Sequence, residues 1–572
     1  MLCAVTPPPM PSDLEIARAA QLDPIDEVAA RAGIPTECVE PYGGNVAKVS
    51  LKAIDALADR PRAKYILITA MTPTPLGEGK TTVTVGLADG LRLLGRTATV
   101  ALRQPSMGPT FGIKGGAAGG GYSQVVPMES MNLHLTGDFH AVTAAHNLLA
   151  AMVDNHLHQG NQLGIDPRAI SWRHVMDVND RALRNIVVGL GARMDGVPRQ
   201  SGFDITAASE VMVILALATS MRDMRERLGR IVVGYTYDGF PVSAEDLKAA
   251  GAMAVILREA LKPNLLQTLS NGPALVHAGP FGNIATGNSS VIADLLGIHM
   301  GEFLITEAGF GSDMGAERFF DVKCRVSGLQ PDAAVLVATV RALKAHSGGH
   351  KVVAGKPLPP AMLEENPGEV RAGGVNLQRH IEIVRRFGVL PVVAINAFPT
   401  DFESEHDVIR EIAEQAGARV ALTRHVADGG AGALELAEVV AAVAEEPHDF
   451  DYLYDLDAPL VDKIETVARR VYGADGVDLS PGAAEQLRRF EVLGYGAFPV
   501  VIAKTHLSLS SDPTLLGAPT GWRMPVREVR AAAGAGYVYA ISGEMRTMPG
   551  LSKHPVAERI DIDADGEIIG LS

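Results

Sequence analysis

Apolar residues fall in short, nearly continuous runs along this chain. AKYILITAM at residues 63–71 is the clearest, and TATVAL (97–102), PALVHAGP (273–280), EFLITEAG (302–309), AAVLVATV (333–340) and VLPVVAIN (389–396) repeat it. IVVGYT (231–236) and FPVVIAKT (498–505) read the same way. A strand covered on both faces has this pattern, because both sets of side chains meet an apolar layer. Between several runs the apolar positions recur at helical spacing. This predicts helices over 13–21, 24–32, 80–95, 205–227, 243–262, 373–387, 405–416 and 457–472. Ser12 is placed to cap the first helix, Pro24 to open the second and Gly33 to stop it. Runs and helices together predict an α/β protein with a mostly parallel sheet, whose functional groups sit in loops at the carboxyl ends of strands.

The loop after the first run carries the strongest chemical signal. TPLGEGKTT, residues 74–82, lies between a predicted strand and a predicted helix. The common phosphate-loop pattern, G-x-x-x-x-G-K-[ST], places a glycine six residues before its lysine. Here that residue is Thr74, and Gly77 stands three before Lys80. Gly77 and Gly79 permit a tight turn, with Pro73 and Pro75 shaping its entry. Lys80, at the helix start, is placed to reach outer phosphates while the first amides point at them. Thr81 or Thr82 offers a hydroxyl to magnesium. Thr74, Pro75, Leu76, Gly77, Glu78, Gly79, Lys80 and Thr81 are therefore the candidate nucleotide contacts. The alternative is a structural turn ending in a surface lysine. LRQPSMGPTFGIKGGAAGGGYSQVVPMES (102–130) begins where a neighbouring strand should end, and holds Arg103, Lys114 and five glycines within 115–121. Such glycine density costs folding entropy and is expected where backbone closely approaches a ligand; a surface lid is the alternative. The strand–loop–helix unit predicts a P-loop nucleoside triphosphate hydrolase-like core, with additional α/β domains.

Composition narrows the classes. At 572 residues there is room for several domains. The formal net charge of -15 excludes a nonspecific nucleic-acid binder. A cluster of amides with one lysine still binds a nucleotide against that background. Cys3, Cys38 and Cys324 form no spaced cluster, so a disulfide framework is not expected and a reducing compartment fits. The first residues lack a positive start before an apolar stretch, and the apolar run VMVILALAT (211–219) is too short to span a bilayer. A cytoplasmic protein without a membrane partner is expected.

Other polar clusters read as follows. His134, His140, His146, His156 and His158 crowd one region with Asp138 and Asp154. His140 and His146 are badly spaced for one helix face. Hydrogen-bonded histidines near a cleft are expected there rather than a transition metal, with Asp138 a candidate substrate contact. Glu307, Asp313 and Glu317 follow the run FLIT, and Asp313, in a glycine-rich loop, is the first candidate for magnesium. Lys323 and Lys344 read as solvent charges. Asn396 and Thr400 read either as ring contacts or as parts of a local turn. The tail DIDADGEI (561–568) imitates a calcium loop but lacks the closing glutamate, and reads as a hairpin.

Longer motifs carry a resemblance. The stretches at 74–82 and 112–127, LTGDFHAVTAAHNLLAAMVDNHLHQGN (135–161), GFDITAASEVM (202–212), EAGFGSDMGAERF (307–319), VATVRALKAHSGG (337–349), VVAINAFPTD (392–401) and AGAGYVYAISGEMRTMPGL (533–551) resemble formate–tetrahydrofolate ligase, in order, over nearly the whole chain. The resemblance implies that ATP, formate and tetrahydrofolate give 10-formyltetrahydrofolate, ADP and phosphate by way of formyl phosphate. It implies magnesium with ATP, activation by potassium or ammonium, and a homotetramer. It also implies that Lys80 and Thr81 hold ATP phosphates, that Arg103 binds formate or formyl phosphate, that Phe310 belongs to the pocket and that Phe398 stacks on the pterin. Three domains are expected. Residues 1–355 form a nucleotide-binding domain with an N-terminal helical extension and insertions, 356–460 a second α/β domain contributing to the folate pocket, and 461–572 a C-terminal α/β domain ending in a hairpin.

The chain also departs from this family. Gln104 stands where a glutamate usually follows the arginine, and Val426 where a tryptophan usually faces the pterin. Asp428 and Ala431 replace a lysine and a glutamate, Ser130 replaces an aspartate, and PYGGNVAKVSL (41–51) lacks the tyrosine and lysine common just after its first glycine. These changes gather where folate is expected, so Gln104 and Val426 join Arg103, Phe310 and Phe398 as substrate-binding candidates. An enzyme that offers its acyl phosphate to another acceptor, and an ATP-binding protein without turnover, are the alternatives.

Overall fold

The computed structural model describes residues 10–112, 118–353 and 356–571. Lys114 and the first glycines of the glycine-rich segment, Gly115 and Gly116, lie outside these, as do Cys3 and Ser572. Strand β1 (Lys64–Ala70) leads through the glycine loop into α1 (Lys80–Leu93) and then β2 (Ala98–Leu102). There follow α2 (Asp138–His158), β3 (Pro273–Val276), β4 (Phe303–Glu307), β5 (Ala333–Ala338), α3 (Val340–His346), α4 (Pro367–Arg386), β6 (Pro391–Asn396), α5 (Glu403–Gln415), β7 (Arg419–Thr423) and α6 (Leu434–Val443). The strands run parallel in the spatial order β3-β2-β4-β1-β5-β6-β7. From β1 the chain goes first to one side and later to the other. A crevice therefore opens beyond the carboxyl end of β1, between β4 and β5, where an open α/β sheet places its ligands.

The alternation of side chains along β1 explains its apolar run. Tyr65 and Leu67 pack with Phe319, Phe320, Leu343 and Ile381. Ile66, Ile68 and Ala70 point to the opposite face, against Val83, Leu87 and Leu91 of α1 and Leu436 and Val440 of α6. Each large aliphatic side chain buried this way contributes roughly 1.5–3 kcal/mol. Beyond β3 the sheet turns antiparallel, through Asn264–Thr268, Ala47–Val49 and Val39–Pro41.

Two expected sheet strands lie elsewhere. Val232–Tyr235 pairs antiparallel with Pro241–Ser243, and Val500–Ala503 pairs parallel with Tyr537–Ile541 in a separate three-stranded sheet. The helix expected over 205–227 is two, Glu210–Leu217 and Met221–Arg230. Ala218 is extended, and Ser220 starts the second helix by accepting from the Asp223 amide. Near the N-terminus, Ser12 and Glu15 form a capping box on Asp13–Ala19, worth about 0.5–2 kcal/mol for the cap alone. The tail is a hairpin, with Asp561–Ile562 paired to Ile568–Ile569.

Lys323 and Lys344 are not solvent charges. Both are buried: Lys323 pairs with Asp294 at 2.5 Å, and Lys344 with Glu405 at 2.6 Å. Each ammonium also donates to backbone carbonyls, Lys323 to Ser289 and Lys344 to Met362 and Glu364, which offsets the cost of removing it from water. Among the described residues no helix is long and apolar enough to cross a membrane.

Candidate active site

The candidate residues converge because they follow the carboxyl ends of neighbouring parallel strands. β1 leads to the glycine loop, β2 to Arg103 and Gln104, and β4 ends at Glu307, three residues before Phe310. β5 leads to Thr339 and Arg341, β6 to Phe398, and β7 to His425 and Val426.

The glycine loop is held from outside. Gly77 and Gly79 both adopt left-handed backbone, at φ +80° and +78°, and Gly79 caps α1 so that Lys80 is its first residue. The Glu78 side chain is fully buried; it accepts from the Thr74 amide at 2.7 Å and from the Thr339 hydroxyl. Arg341 donates to the Gly77 carbonyl at 2.7 Å, and the Asn396 amide to the Glu78 carbonyl at 3.1 Å. A Cβ on Gly79 would lie 2.6 Å from that Asn396 nitrogen. The loop therefore closes without a glycine at position 74, because residues after β5 and at the end of β6 supply the constraint. Asn396 accordingly serves the turn. Pro75 is half-buried and Leu76 exposed, its amide donating to Thr74 Oγ1 at 3.3 Å. In the first turn of α1, the Thr81 hydroxyl donates to Glu307 at 2.7 Å.

Beside the loop is a strained corner. The Arg103 guanidinium donates to the Pro280 carbonyl at 3.4 Å, and a Cβ on Gly309 would lie 2.9 Å from it. Burial lowers its pKa and the Glu307 charge opposes that shift, so an anion at this corner gains from a poorly hydrated cation. Phe310 has φ +60° and Ala278 φ +49°, unusual values for residues with a Cβ. Each such residue costs on the order of 1–3 kcal/mol and persists where the surroundings over-determine it. Phe310 stacks on His506 with centroids 4.6 Å apart, and its edge lies so near Gly282 that a Cβ there would sit 2.2 Å away. The Gln104 backbone amide donates to the Ala278 carbonyl at 2.7 Å, while both polar atoms of its side chain are buried without a hydrogen-bond partner among the described residues.

Phe398 and Val426 flank the loop from the β6 and β7 ends. The Arg341 guanidinium lies 4.1 Å from the Phe398 ring centroid. The Val426 carbonyl accepts from the Tyr122 amide at 2.9 Å, and a Cβ on Gly121 would meet that carbonyl oxygen at 2.1 Å. The described part of the glycine-rich segment thus makes its close approach to the chain itself. His425 ties this wall to α1: its Nε2 meets the Thr82 hydroxyl at 2.9 Å and its Nδ1 the Thr423 hydroxyl at 2.8 Å. Burial pulls its pKa down to about 4, so the ring is neutral at pH 7. The contact with α1 needs glycine. A Cβ on Gly86 would lie 2.5 Å from the His425 Cβ, and one on Gly90 3.0 Å from the Ala433 carbonyl oxygen.

The other acids and histidines have partners of their own. Asp313 pairs with Lys504 at 2.9 Å, both buried, so the carboxylate in contact with Thr81 is that of Glu307. Asp138 pairs with Lys48 at 2.8 Å and accepts from Asn264 at 2.7 Å. His146 bonds to Ser209 and to the Arg173 carbonyl and stacks on Trp172, while His134 and His140 bond to each other. Among the described residues no group of three or more His, Cys, Asp or Glu is arranged to hold a metal. Thr339, Arg341 and His425 are site residues that the sequence reading missed. Position just past an apolar run was the signal available for the first two.

Comparison with known proteins gives this arrangement its family. The family model described as formate–tetrahydrofolate ligase matches residues 11–572. The chain belongs to that family. A formate–tetrahydrofolate ligase of Saccharopolyspora erythraea is 69% identical over 563 residues, covering 98% of this chain and 100% of its own length. One of Cutibacterium acnes is 69% identical over 562 residues with the same coverage, and one of a Roseiflexus species is 61% identical over 564 residues, again at 98% and 100%. These matches run through every strand end of the crevice, so the family relation covers both sides of the candidate site.

Proposed function

We propose that this chain ligates formate to tetrahydrofolate at the expense of ATP, giving 10-formyltetrahydrofolate, ADP and phosphate through formyl phosphate. The observation that carries the reading is the convergence, at alternate strand ends of one sheet, of a glycine loop opening a helix at Lys80, a half-buried cation at Arg103 and an aromatic face at Phe398. Together with β1 and α1, the loop acts as a phosphate loop of the nucleoside triphosphate hydrolase type. Its amides and Lys80 receive the phosphates.

The first step joins a formate oxygen to the γ-phosphorus and breaks the bond to ADP. Formate is a weak nucleophile, so orientation and charge neutralisation matter more than a strong base. Lys80 and Arg103 supply both. In the second step the folate amine attacks the formyl carbon, phosphate leaves on the same cations, and the amine loses its proton. Phe310 and the tight packing of Gly121 on Val426 help exclude water, which would hydrolyse the anhydride. Phe398 stacks on the pterin and Val426 forms the opposite wall. In the expected division, residues 1–355 carry the phosphate chemistry and 356–460 supply both walls.

The donor set fits magnesium: Thr81 and Glu307 offer hard oxygen ligands 2.7 Å apart, and the ion neutralises phosphate charge when bound. For the monovalent cation the family resemblance implies, the buried, unpartnered amide oxygen of Gln104 is a ligand of suitable type. Exposed Val187, Leu190 and Met194, on and between the paired strands Ile186–Val188 and Arg199–Ser201, support assembly into the expected homotetramer. The deciding assay follows ADP and formylated folate by mass. ADP is expected with ATP, formate and tetrahydrofolate together, one formylated folate per ADP. Formate-dependent ADP without any formylated folate, at saturating tetrahydrofolate, overturns the reading and points to another acceptor.

A further inference from the structure

We infer that Arg341 is a positioning residue that makes folate affinity depend on the state of the nucleotide loop. The inference rests on the assignments of the glycine loop to ATP and of Phe398 to the pterin. One guanidinium touches both. Its Nη2 donates to the Gly77 carbonyl at 2.7 Å, while its carbon sits 4.1 Å from the Phe398 ring centroid. Its Nε lies 3.9 Å from Glu78 Oε2 and has no hydrogen-bond partner among the described residues. Arg341 leaves the first turn of α3, whose cap, Thr339, holds the Glu78 side chain, so its base is fixed to the loop as well.

Gly77 is the part of the loop with open space beside it. Apart from its chain neighbours, no described atom lies within 4 Å of where its Cβ would be, whereas Gly79 is packed against Asn396. Side-chain packing therefore does not fix the peptide planes at Gly77; hydrogen bonds do, from its amide to the Thr74 carbonyl at 3.1 Å and from Arg341 to its carbonyl at 2.7 Å. Phosphate binding recruits loop amides and turns such peptide planes. A turn that moves the Gly77 carbonyl moves the planar guanidinium bonded to it, and hence the cation resting on Phe398. Lysine cannot reproduce this, because a point charge on a flexible stem lacks the flat fork that both stacks and donates. By linkage the effect is reciprocal: folate on Phe398 changes nucleotide affinity by the same factor.

The test measures the tetrahydrofolate Kd with and without a nonhydrolysable ATP analogue, in the wild type and in Arg341→Met, Phe398→Leu and the double variant. The wild-type ratio of the two Kd values is expected to differ from one by about fivefold or more. Arg341→Met should bring the ratio close to one and change the folate KM more than kcat. The double variant should show no further change in the ratio. A wild-type ratio of one, or an unaltered ratio in Arg341→Met while Phe398→Leu weakens folate binding, overturns the inference alone. Folate affinity unaffected by Phe398→Leu overturns the site assignment and the inference with it. If Arg341→Met is insoluble, Arg341→Lys decides: a ratio nearer to one is expected, and a wild-type ratio refutes the proposal.

Discussion

One continuous stretch, residues 74–81, makes most of the proposed nucleotide side of the crevice, whereas Arg341, Phe398 and Val426 come to the proposed acceptor side from three separate strand ends. The first side is a backbone object: two left-handed glycines, a helix start and carbonyls held by neighbours. The second is a side-chain object, a ring and an aliphatic wall held by contacts from neighbouring loops. Backbone geometry tolerates few substitutions, while a wall built of side chains can be remodelled one residue at a time. The departures from the family, Val426 above all, fall on the remodelled kind.

The largest expected effect separates the two sides. Lys80→Ala should lower kcat by roughly 10²–10³, as loss of one preorganised donor to developing charge does, with little change in the folate KM. Single-turnover ADP formation checks this, and an unchanged phosphoryl step would erase the distinction.

At the seam stands His425, whose folded pKa of about 4 lies below the ordinary imidazole value near 6.5. Stability from its neutral form is complete above pH 6.5 and is lost as pH falls toward 4. The loss is roughly 2 kcal/mol by pH 5. His425→Gln keeps hydrogen bonding but cannot titrate, so unfolding in urea at pH 5 and pH 7 should differ less in the variant. Equal pH sensitivity in both proteins would show that the histidine does not carry this acid lability.

On the acceptor side the effects are smaller. Phe398→Ala should raise the folate KM about 2–10-fold, the worth of a stacked aromatic beyond its area, with ATP affinity in the absence of folate unchanged. Val426→Trp should lower the folate KM by about threefold, restoring part of that term on the opposite wall. Steady-state kinetics with each substrate varied would reveal a failure. If ATP affinity measured without folate also moves in Phe398→Ala, Phe398 acts on the nucleotide side directly and the contrast between the two sides fails.

The same contrast explains what the chain's letters reveal. β1, β4, β5 and β6 are covered on both faces, so they stand out as apolar runs, and the turn that follows β1 is contiguous enough to recognise. β7 is an edge strand, exposed at Arg419 and half-covered at Val420 and Leu422, and no run betrays it. In α2, the apolar face of Phe139, Val142, Leu149 and Val153 is interrupted by His146, buried through its own hydrogen bonds. Glu307 was harder to rank than Asp313 because loop position favoured the latter; the register of β4 beside β1 decides which carboxylate meets Thr81. Arg341 and His425 act across strand ends far apart in sequence, and periodicity carries no information about such partners.

Gly86 and Gly90 set a spacing by the atoms they lack. They stand one helical turn apart on α1, against the segment that carries the acceptor wall. A methyl group at either site would push that segment off the helix, and Val426 would move away from the loop proposed to hold the phosphates. Acyl transfer needs the reacting atoms within about 3–3.5 Å of each other. Two missing side chains, remote from any bond that forms or breaks, thus act as the ruler for the distance between one substrate and the next.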